Sequence, residues 1–537
     1  MRETPPTDTY VGVESGGVLE DSRGAENVFG TVGKATDYFI ADSYREYQRE
    51  TIEEIEDAFE RGFQHVLVNA PTGAGKSHIA RALAFQSGSA HIITVQKLLQ
   101  EQYRDDFPDM FVMKGRNAYL CELGSANESC ADGPCRLRKS APCPTCPYRL
   151  AKLSAMGAPV TVHNFDSFYY QNIYGSGFPG RKLLIVDECH NISGKFSSFL
   201  SFTVNSRGGI EVPQAETISE YDSFVRSAYS EYDYELSGLR EQYDSDALSS
   251  HGLQRMQELS QLVYRMKRYL TEREKSTPIE YVFDYTTKGR YAPQVTFRPV
   301  YVGDYASTWL FSYGERTLMM SATILSKEMF CREVGLNPDS VYYIDVPSTF
   351  PAENRPIFKK YAGKMSYKAI DRTLPVIVEY VEEILSKFPD RKGIIQTHSE
   401  KIANYLKMYL TDPRFTFNRD YDSPQQMLEV HRKKPGSVIV ASGLREGLDL
   451  RGDLSKIQIF CKIPYPSLGD KVVARKLELD PDWYGWATST MFVQSLGRSV
   501  RSNREKAVTY ILDSDFGYFY KRNRKFIPQY IRDAIVP

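Results

Sequence analysis

Three stretches of the chain carry residues whose types and spacing suit phosphate chemistry. Ala70-Pro-Thr-Gly-Ala-Gly-Lys76-Ser77 follows the apolar run His65-Val-Leu-Val-Asn69. Its glycines let the backbone turn tightly and bring N–H groups up to phosphate oxygens. Thr72, Gly73 and Gly75 are therefore expected to line a bound nucleotide, with Lys76 reaching the β- and γ-phosphates and Ser77 ligating Mg2+. Ala70 stands where the strict pattern begins with glycine. The second stretch, Lys182-Leu-Leu-Ile-Val-Asp187-Glu188-Cys189-His190, is an apolar run ending in adjacent carboxylates. Asp187 can hold Mg2+ through water, and Glu188 can orient the attacking water. The third, Gln494-Ser-Leu-Gly-Arg498-Ser-Val-Arg501, reads as a helix end with two arginines on one face. Alone, such a pair more often offsets a helix dipole. Beside the other two stretches, it suits a transferring γ-phosphate. Lys76, Asp187, Glu188, Arg498 and Arg501 are the expected catalytic set of a nucleoside triphosphatase.

A different chemistry sits at 121–146, where five of the eight cysteines fall: Cys121, Cys130, Cys135, Cys143 and Cys146. Clustering of this kind in an intracellular chain argues for metal rather than disulfides. Four thiolates can hold a tetrahedral zinc or an iron–sulfur cluster, and spacing alone does not choose between them. Cys189, Cys331 and Cys461 read as small buried hydrophobes. Two further sets flank the nucleotide stretches. Arg45 and Gln48 precede the phosphate loop by about one helix, and a Gln amide can read an adenine edge. In 442–449, Gly443 and Gly447 permit close backbone approach while Glu446 and Asp449 supply carboxylates.

These groups need strands that end at them. Apolar runs at His65–Asn69, 91–95, 160–162, 182–187 and 316–320 alternate with helical patterns, which implies a parallel, doubly wound sheet. Ser43 to Glu46 reads as a capping box that opens a helix. A second set of strands at 392–397, 437–442, 456–460 and 507–513 alternates with helices expected at 376–387, 400–410 and 486–499, with Pro375 in a first turn. Between the two sets, Leu253, Met256, Leu259, Val263 and Met266 have helical spacing. The expected division is a polar N-terminal segment at 1–40 and a first α/β domain at 41–110, 161–199 and 280–345. A cysteine-rich insertion occupies 111–160, a helical insertion 200–279, and a second α/β domain 346–537.

Composition bounds the rest. The 537 residues predict three or four domains. Lys+Arg 67 against Asp+Glu 68 leaves a net charge of −1, so any basic surface for a polyanion must be local. No apolar run approaches 18 residues and no basic-then-apolar leader opens the chain, so a cytoplasmic location is expected.

The motif set and its order resemble the superfamily 2 helicases, and within them the iron–sulfur XPD/DinG-like branch. Arg45 and Gln48 match the adenine-reading motif, Ala70–Ser77 motif I, and 94–102 the strand-gripping motif Ia. Asp187-Glu188-Cys189-His190 is a DECH box, and Ser321-Ala322-Thr323 resembles the SAT motif that couples hydrolysis to DNA movement. Gln396–Ser399 fits motif IV loosely, Gly443–Asp449 looks like motif V, and Gln494–Arg501 resembles motif VI with its arginine fingers. The resemblance implies two RecA-like motor domains and nucleotide contacts from Gly447, Asp449 and Gln494. It also implies an Arch-like helical insertion and a [4Fe-4S] cluster held by Cys121 and Cys146 at its ends. The middle ligands lie among Cys130, Cys135 and Cys143, with Cys135 and Cys143 preferred and Zn2+ the alternative to iron. The implied function is ATP- and Mg2+-dependent 5′→3′ translocation on single-stranded DNA, with unwinding of tailed duplex by a monomer away from membranes, in the nucleoid or infected-cell cytoplasm. Two rivals remain: a duplex translocase with structural zinc, and an ATP-gated nucleic-acid clamp with little turnover.

Overall fold

The computed structural model describes residues 33–537 apart from 126, 138–142, 176, 304, 444–449, 451 and 501–504. Ten strands lead up to the middle of the chain. They are β1 (His65–Asn69), β2 (Ala90–Thr94), β3 (Phe111–Met113), β4 (Val160–Asn164), β5 (Arg181–Asp187), β6 (Phe202–Asn205), β7 (Tyr281–Thr286), β8 (Gln294–Pro299), β9 (Gly314–Ser321) and β10 (Val341–Asp345). Seven form one sheet in the order β10-β1-β9-β5-β2-β4-β3, and every pairing in it is parallel. Parallel strands joined by helical crossovers are covered on both faces, which is why they read as near-continuous apolar runs. Alternation still sorts their side chains. Leu67, Leu184 and Val186 enter the core on one face, while Val66, Val68, Leu183 and Ile185 enter the other.

Six more strands follow: β11 (Ile357–Gly363), β12 (Gly393–Gln396), β13 (Phe415–Phe417), β14 (Val438–Ala441), β15 (Ile457–Phe460) and β16 (Val508–Asp513). They form a second parallel sheet in the order β11-β16-β15-β12-β14-β13. The molecule thus has two doubly wound parallel α/β domains, as the strand–helix alternation implies, and they fit the two RecA-like motor domains that the family resemblance implies.

Some boundaries differ from the sequence reading. β7 and β8, expected in the return to the first sheet, instead pair antiparallel with β6 as β6-β8-β7. Val295 and Phe297 share a core with Leu236, Leu259, Met266 and Tyr269 of the Ile218–Asp244 and Ser250–Arg273 helices. The helical insertion therefore brings its own sheet. At its start, β3 joins the edge of the first sheet, so the cysteine-rich segment begins after Met113 rather than at 111. Residues 35–38 form a short turn with Ala35 fully buried against the first motor domain, rather than a loose tail. The expected cap at Ser43 is also displaced. The helix starts at Gln48, whose side-chain oxygen accepts the Arg45 N–H. Pro375 lies inside a helix, Ile370–Ser386, because the apolar period extends one turn upstream through Ile370 and Leu374.

Candidate nucleotide site

β1, β9 and β5 are neighbours, so Asn69, Ser321 and Asp187 end side by side at one carboxyl edge of the sheet. Ligands of open α/β sheets bind at such edges. The loop after β1 turns through left-handed backbone at Gly73 (φ +90°) and Gly75 (φ +81°), and Lys76 and Ser77 open the Lys76–Ser87 helix. A Cβ on Gly75 would collide with the Gln48 amide. That close approach is used: Gln48 Nε2 donates to Gly75 O at 3.1 Å, and an Arg45 guanidinium N–H donates to Gly73 O. Both residues brace the loop, and the buried Gln48 has part of its amide committed to backbone.

Lys76 Nζ lies 3.4 Å from Ala70 O and 3.7 Å from Glu188 Oε1. Asp187 is 2% exposed. Burial and the adjacent Glu188 push its carboxyl up to about 6, against the pull of Lys76 and the Tyr103 hydroxyl. Tyr103 O–H donates to Asp187 Oδ2 at 3.0 Å, and the Glu188 N–H donates to Oδ1 at 3.0 Å. Burial and Asp187 raise the Tyr103 phenol, so it stays protonated and remains a donor. Glu188 takes φ +56°, a left-handed turn that costs a non-glycine residue about 1–3 kcal/mol. The turn aims its carboxylate back over the phosphate loop towards Lys76. Ser77 and Asp187 supply hard oxygen donors of the kind Mg2+ takes.

From Glu188 a polar thread leads out of the site. His190 Nδ1 lies 3.3 Å from Glu188 Oε2 and 2.7 Å from Ser321 Oγ. Ser321 Oγ accepts the Thr323 N–H at 3.2 Å and lies 3.4 Å from the Thr323 hydroxyl. Gln494 Nε2, from the second motor domain, donates to Thr323 Oγ1 at 3.2 Å. The helix carrying Gln494, Pro481–Leu496, is held at its end by Gln396 and Gln458, whose amides both donate to Ser495 O (3.1 and 2.7 Å). These bonds satisfy a carbonyl that the helix leaves open. Arg498 follows this end and is 5% exposed, and Gly497 faces Thr72 of the phosphate loop. Lys76, Asp187, Glu188, Thr72 and Gln494 are thus brought to one seam, with Arg498 at its margin. Arg501, Glu446, Gly447 and Asp449 lie outside the described residues.

The sequence reading missed Tyr103 and Asn69. Asn69 links strand ends by accepting the Ile324 N–H at 3.2 Å and donating to Asp345 at 2.8 Å. Only a polar residue at a strand end, or a tyrosine deep in an otherwise polar helix face, signalled them.

The five clustered cysteines share one core: Cys121, Cys130, Cys143 and Cys146 are buried and Cys135 packs at their edge. Cys130 Sγ, the alternative ligand, lies 3.9 Å from Cys146 Sγ. Soft thiols gathered in one core are the right donors for a cluster or for zinc. Among the described residues, however, no group of three or more metal-ligating side chains closes to the arrangement an ion needs. No helix among them is long and apolar enough to cross a membrane.

Comparison with known proteins agrees with this layout. Residues 394–534 match a helicase C-terminal domain, and residues 42–223 match the res subunit of type III restriction enzymes. A solved structure named XPD_Helicase superposes with a TM-score of 0.65 at 15% identity, covering 90% of this chain and 98% of its own. Another, XPD_APO, gives 0.58 at 14%, covering 88% and 97%. Xpd4 of S. tokodaii gives 0.56 at 12%, covering 91% and 99%. No curated protein matches the chain in sequence. The likeness to the XPD structures therefore holds in fold, and the family matches place a helicase C-terminal domain in the second half of the chain.

Proposed function

We propose that the chain is an ATP-dependent DNA helicase that moves 5′→3′ along a single strand and separates tailed duplex. One observation carries this reading. The thread Glu188–His190–Ser321–Thr323–Gln494 joins the hydrolytic carboxylate to the second motor domain, so a change at the γ-phosphate has a path to domain movement. In this reading Thr72, Gly73 and Gly75 cradle the phosphates, Lys76 neutralises them, and Ser77 and Asp187 hold Mg2+, which offsets charge on the leaving group. Glu188 orients water. Arg498 and Arg501 meet the γ-phosphate from the second domain on closure, with Gly447, Asp449 and Gln494 completing the pocket. Arg45 and Gln48 brace the loop, and the remaining amide capacity of Gln48 reads the adenine edge.

The strand would cross the first motor domain at a cavity of about 410 Å³ beside β2, β4 and β5. Tyr170, Lys195 and Arg265 line it over a floor of the buried Phe165, Tyr169 and Phe199, with Asp166 paired to Lys195 at 2.8 Å, so Tyr170 and the two cations are the groups that would meet bases and phosphates. Cys121, Cys143 and Cys146 with Cys130 or Cys135 would hold a [4Fe-4S] cluster. Its role here is structural, fixing the cysteine-rich insertion against the motor.

The test is ATP-dependent strand displacement on duplexes with a 5′ tail, a 3′ tail or none, using protein purified without air. Unwinding of the 5′-tailed substrate alone is expected. Unwinding only from a 3′ tail would overturn the direction, and DNA-stimulated ATPase without displacement would leave a translocase. Broad visible absorption is expected from the cluster, and a colourless zinc-containing protein would replace it with zinc.

A further inference from the structure

Tyr103 is fully buried, and its hydroxyl donates to Asp187 Oδ2 at 3.0 Å. A phenol has a single O–H, and here it is committed to Asp187. The other carboxylate oxygen, Oδ1, accepts the Glu188 N–H at 3.0 Å, so the carboxylate expected to meet Mg2+ is oriented from both sides, once by backbone and once by this phenol. The phenol belongs to the Lys97–Asp106 helix, whose first turn exposes Lys97 and Leu98. The same helix is pinned to the sheet by Gln100, whose amide donates to Met113 O at 2.8 Å.

We propose that Tyr103 is a positioning residue for Mg2+: its hydroxyl, held on Asp187 Oδ2, sets that carboxylate and ties it to the helix that bears the strand-gripping face. The inference rests on the proposed ATP site. It goes further by making metal affinity, rather than nucleotide affinity, the quantity that the strand adjusts. A small displacement of the 97–106 helix on strand binding moves the phenol, and with it the preferred orientation of the carboxylate. Groups that orient a metal ligand from behind typically change metal affinity by about 10- to 100-fold when removed.

The experiment compares the full chain with Tyr103→Phe, which keeps the ring and its packing and deletes one oxygen. A fluorescent ATP analogue reports binding while free Mg2+ is titrated, with and without an oligo-dT strand. In EDTA the two proteins should bind the analogue alike. The Mg2+ needed for half of the metal-dependent tightening should rise about tenfold in Tyr103→Phe. Oligo-dT should shift that midpoint in the parent and leave it unmoved in the variant. At saturating Mg2+ the variant's kcat should return to the parent value, which damage to the packing would not allow. Superimposable Mg2+ titrations would overturn the inference, as would equal oligo-dT shifts in both proteins. A parent protein that binds the analogue with no metal-dependent step would overturn the underlying site assignment instead.

Discussion

Among the described residues, two of the crossings between the motor domains have opposite chemistry. At the nucleotide site the link is the thread through Ser321 and Thr323 to Gln494, made of neutral groups 3.2 to 3.4 Å apart, the long end of hydrogen bonding. About one helix away lies a charged clasp. Glu333, on the Lys327–Val334 helix of the first domain, accepts two bonds from Lys476 Nζ (2.7 and 2.8 Å) and one from Trp483 Nε1 (2.8 Å), both from the second. Ser193 completes the set. Glu333 is 7% and Lys476 6% exposed. Neutral hydroxyls exchange partners at little cost, whereas parting a buried ion pair strands a dehydrated charge. The clasp should therefore hold the domains in register while the thread rearranges. Its neighbours reinforce it: Arg298 pairs with Asp470 and Arg475 with Glu280, tying the second domain to the small antiparallel sheet of the insertion.

The largest effect should come from a variant that touches neither crossing. Lys76→Ala should cut ATP turnover by roughly 10²–10³-fold, the scale of losing one preorganised electrostatic contact, with thermal stability unchanged. Near-normal turnover would remove the premise that the thread begins at a hydrolytic site. Breaking the clasp comes next. Glu333→Ala leaves Lys476 buried without its partner and should cost about 3–5 kcal/mol in unfolding experiments. Glu333→Gln with Lys476→Met removes both charges and should recover most of that. If the double variant is as unstable as the single one, the clasp is packing rather than charge.

Much of the thread was legible in sequence and the clasp was not, for a physical reason. Asp187, Glu188, Ser321, Thr323 and Gln494 sit at or just past strand and helix ends, where an apolar run breaks into polar residues and announces a polar edge. Glu333 and Lys476 sit within amphipathic helices, where a charged residue reads as solvated surface, and Trp483 sits in a helix apolar all round, where nothing marks its indole N–H as a partner. Only three-dimensional pairing shows that they are buried. The same divide explains β7 and β8. Their alternating pattern gave strands, but not the sheet they join, since the antiparallel pairing of β8 with β6 closes over residues 206–293, including two long helices. The cysteines were legible as a group, because all five share one core, while their ligand order depends on loop geometry that spacing does not encode.

A buried polar pair inside the first domain tests whether burial or the domain crossing makes the clasp costly. His163 Nε2 lies 3.2 Å from His91 Nδ1, and both rings are buried. Burial and the Arg181 charge hold His91 down to about 3, and burial with His91 holds His163 well below its usual value. Neutral in the fold, these rings take up protons on unfolding, near pH 6.5. Stability from this source is therefore full above about pH 6.5 and is lost as pH falls towards 3. Between pH 6.5 and 5 the loss should be about 2 kcal/mol for His91. Denaturant melts across that range should show the slope, and His91→Leu should flatten it. An unchanged slope would place the acid sensitivity elsewhere.

The smallest expected effect is the most telling about the thread. Thr323→Val keeps shape and removes the hydroxyl that accepts from Gln494 and faces Ser321. A neutral hydrogen bond contributes about 1 kcal/mol, roughly fivefold in an equilibrium. Unfolding free energy should change by no more than that, far less than in Glu333→Ala. Strand displacement per ATP hydrolysed should fall about fivefold while DNA-stimulated turnover persists. The two measurements separate the crossings: clasp variants lose stability first, and thread variants lose coupling first. Should Thr323→Val lower turnover and displacement in equal proportion, the thread would be part of the hydrolytic site itself. The path by which the γ-phosphate moves the second domain would then have to run through Arg498 instead.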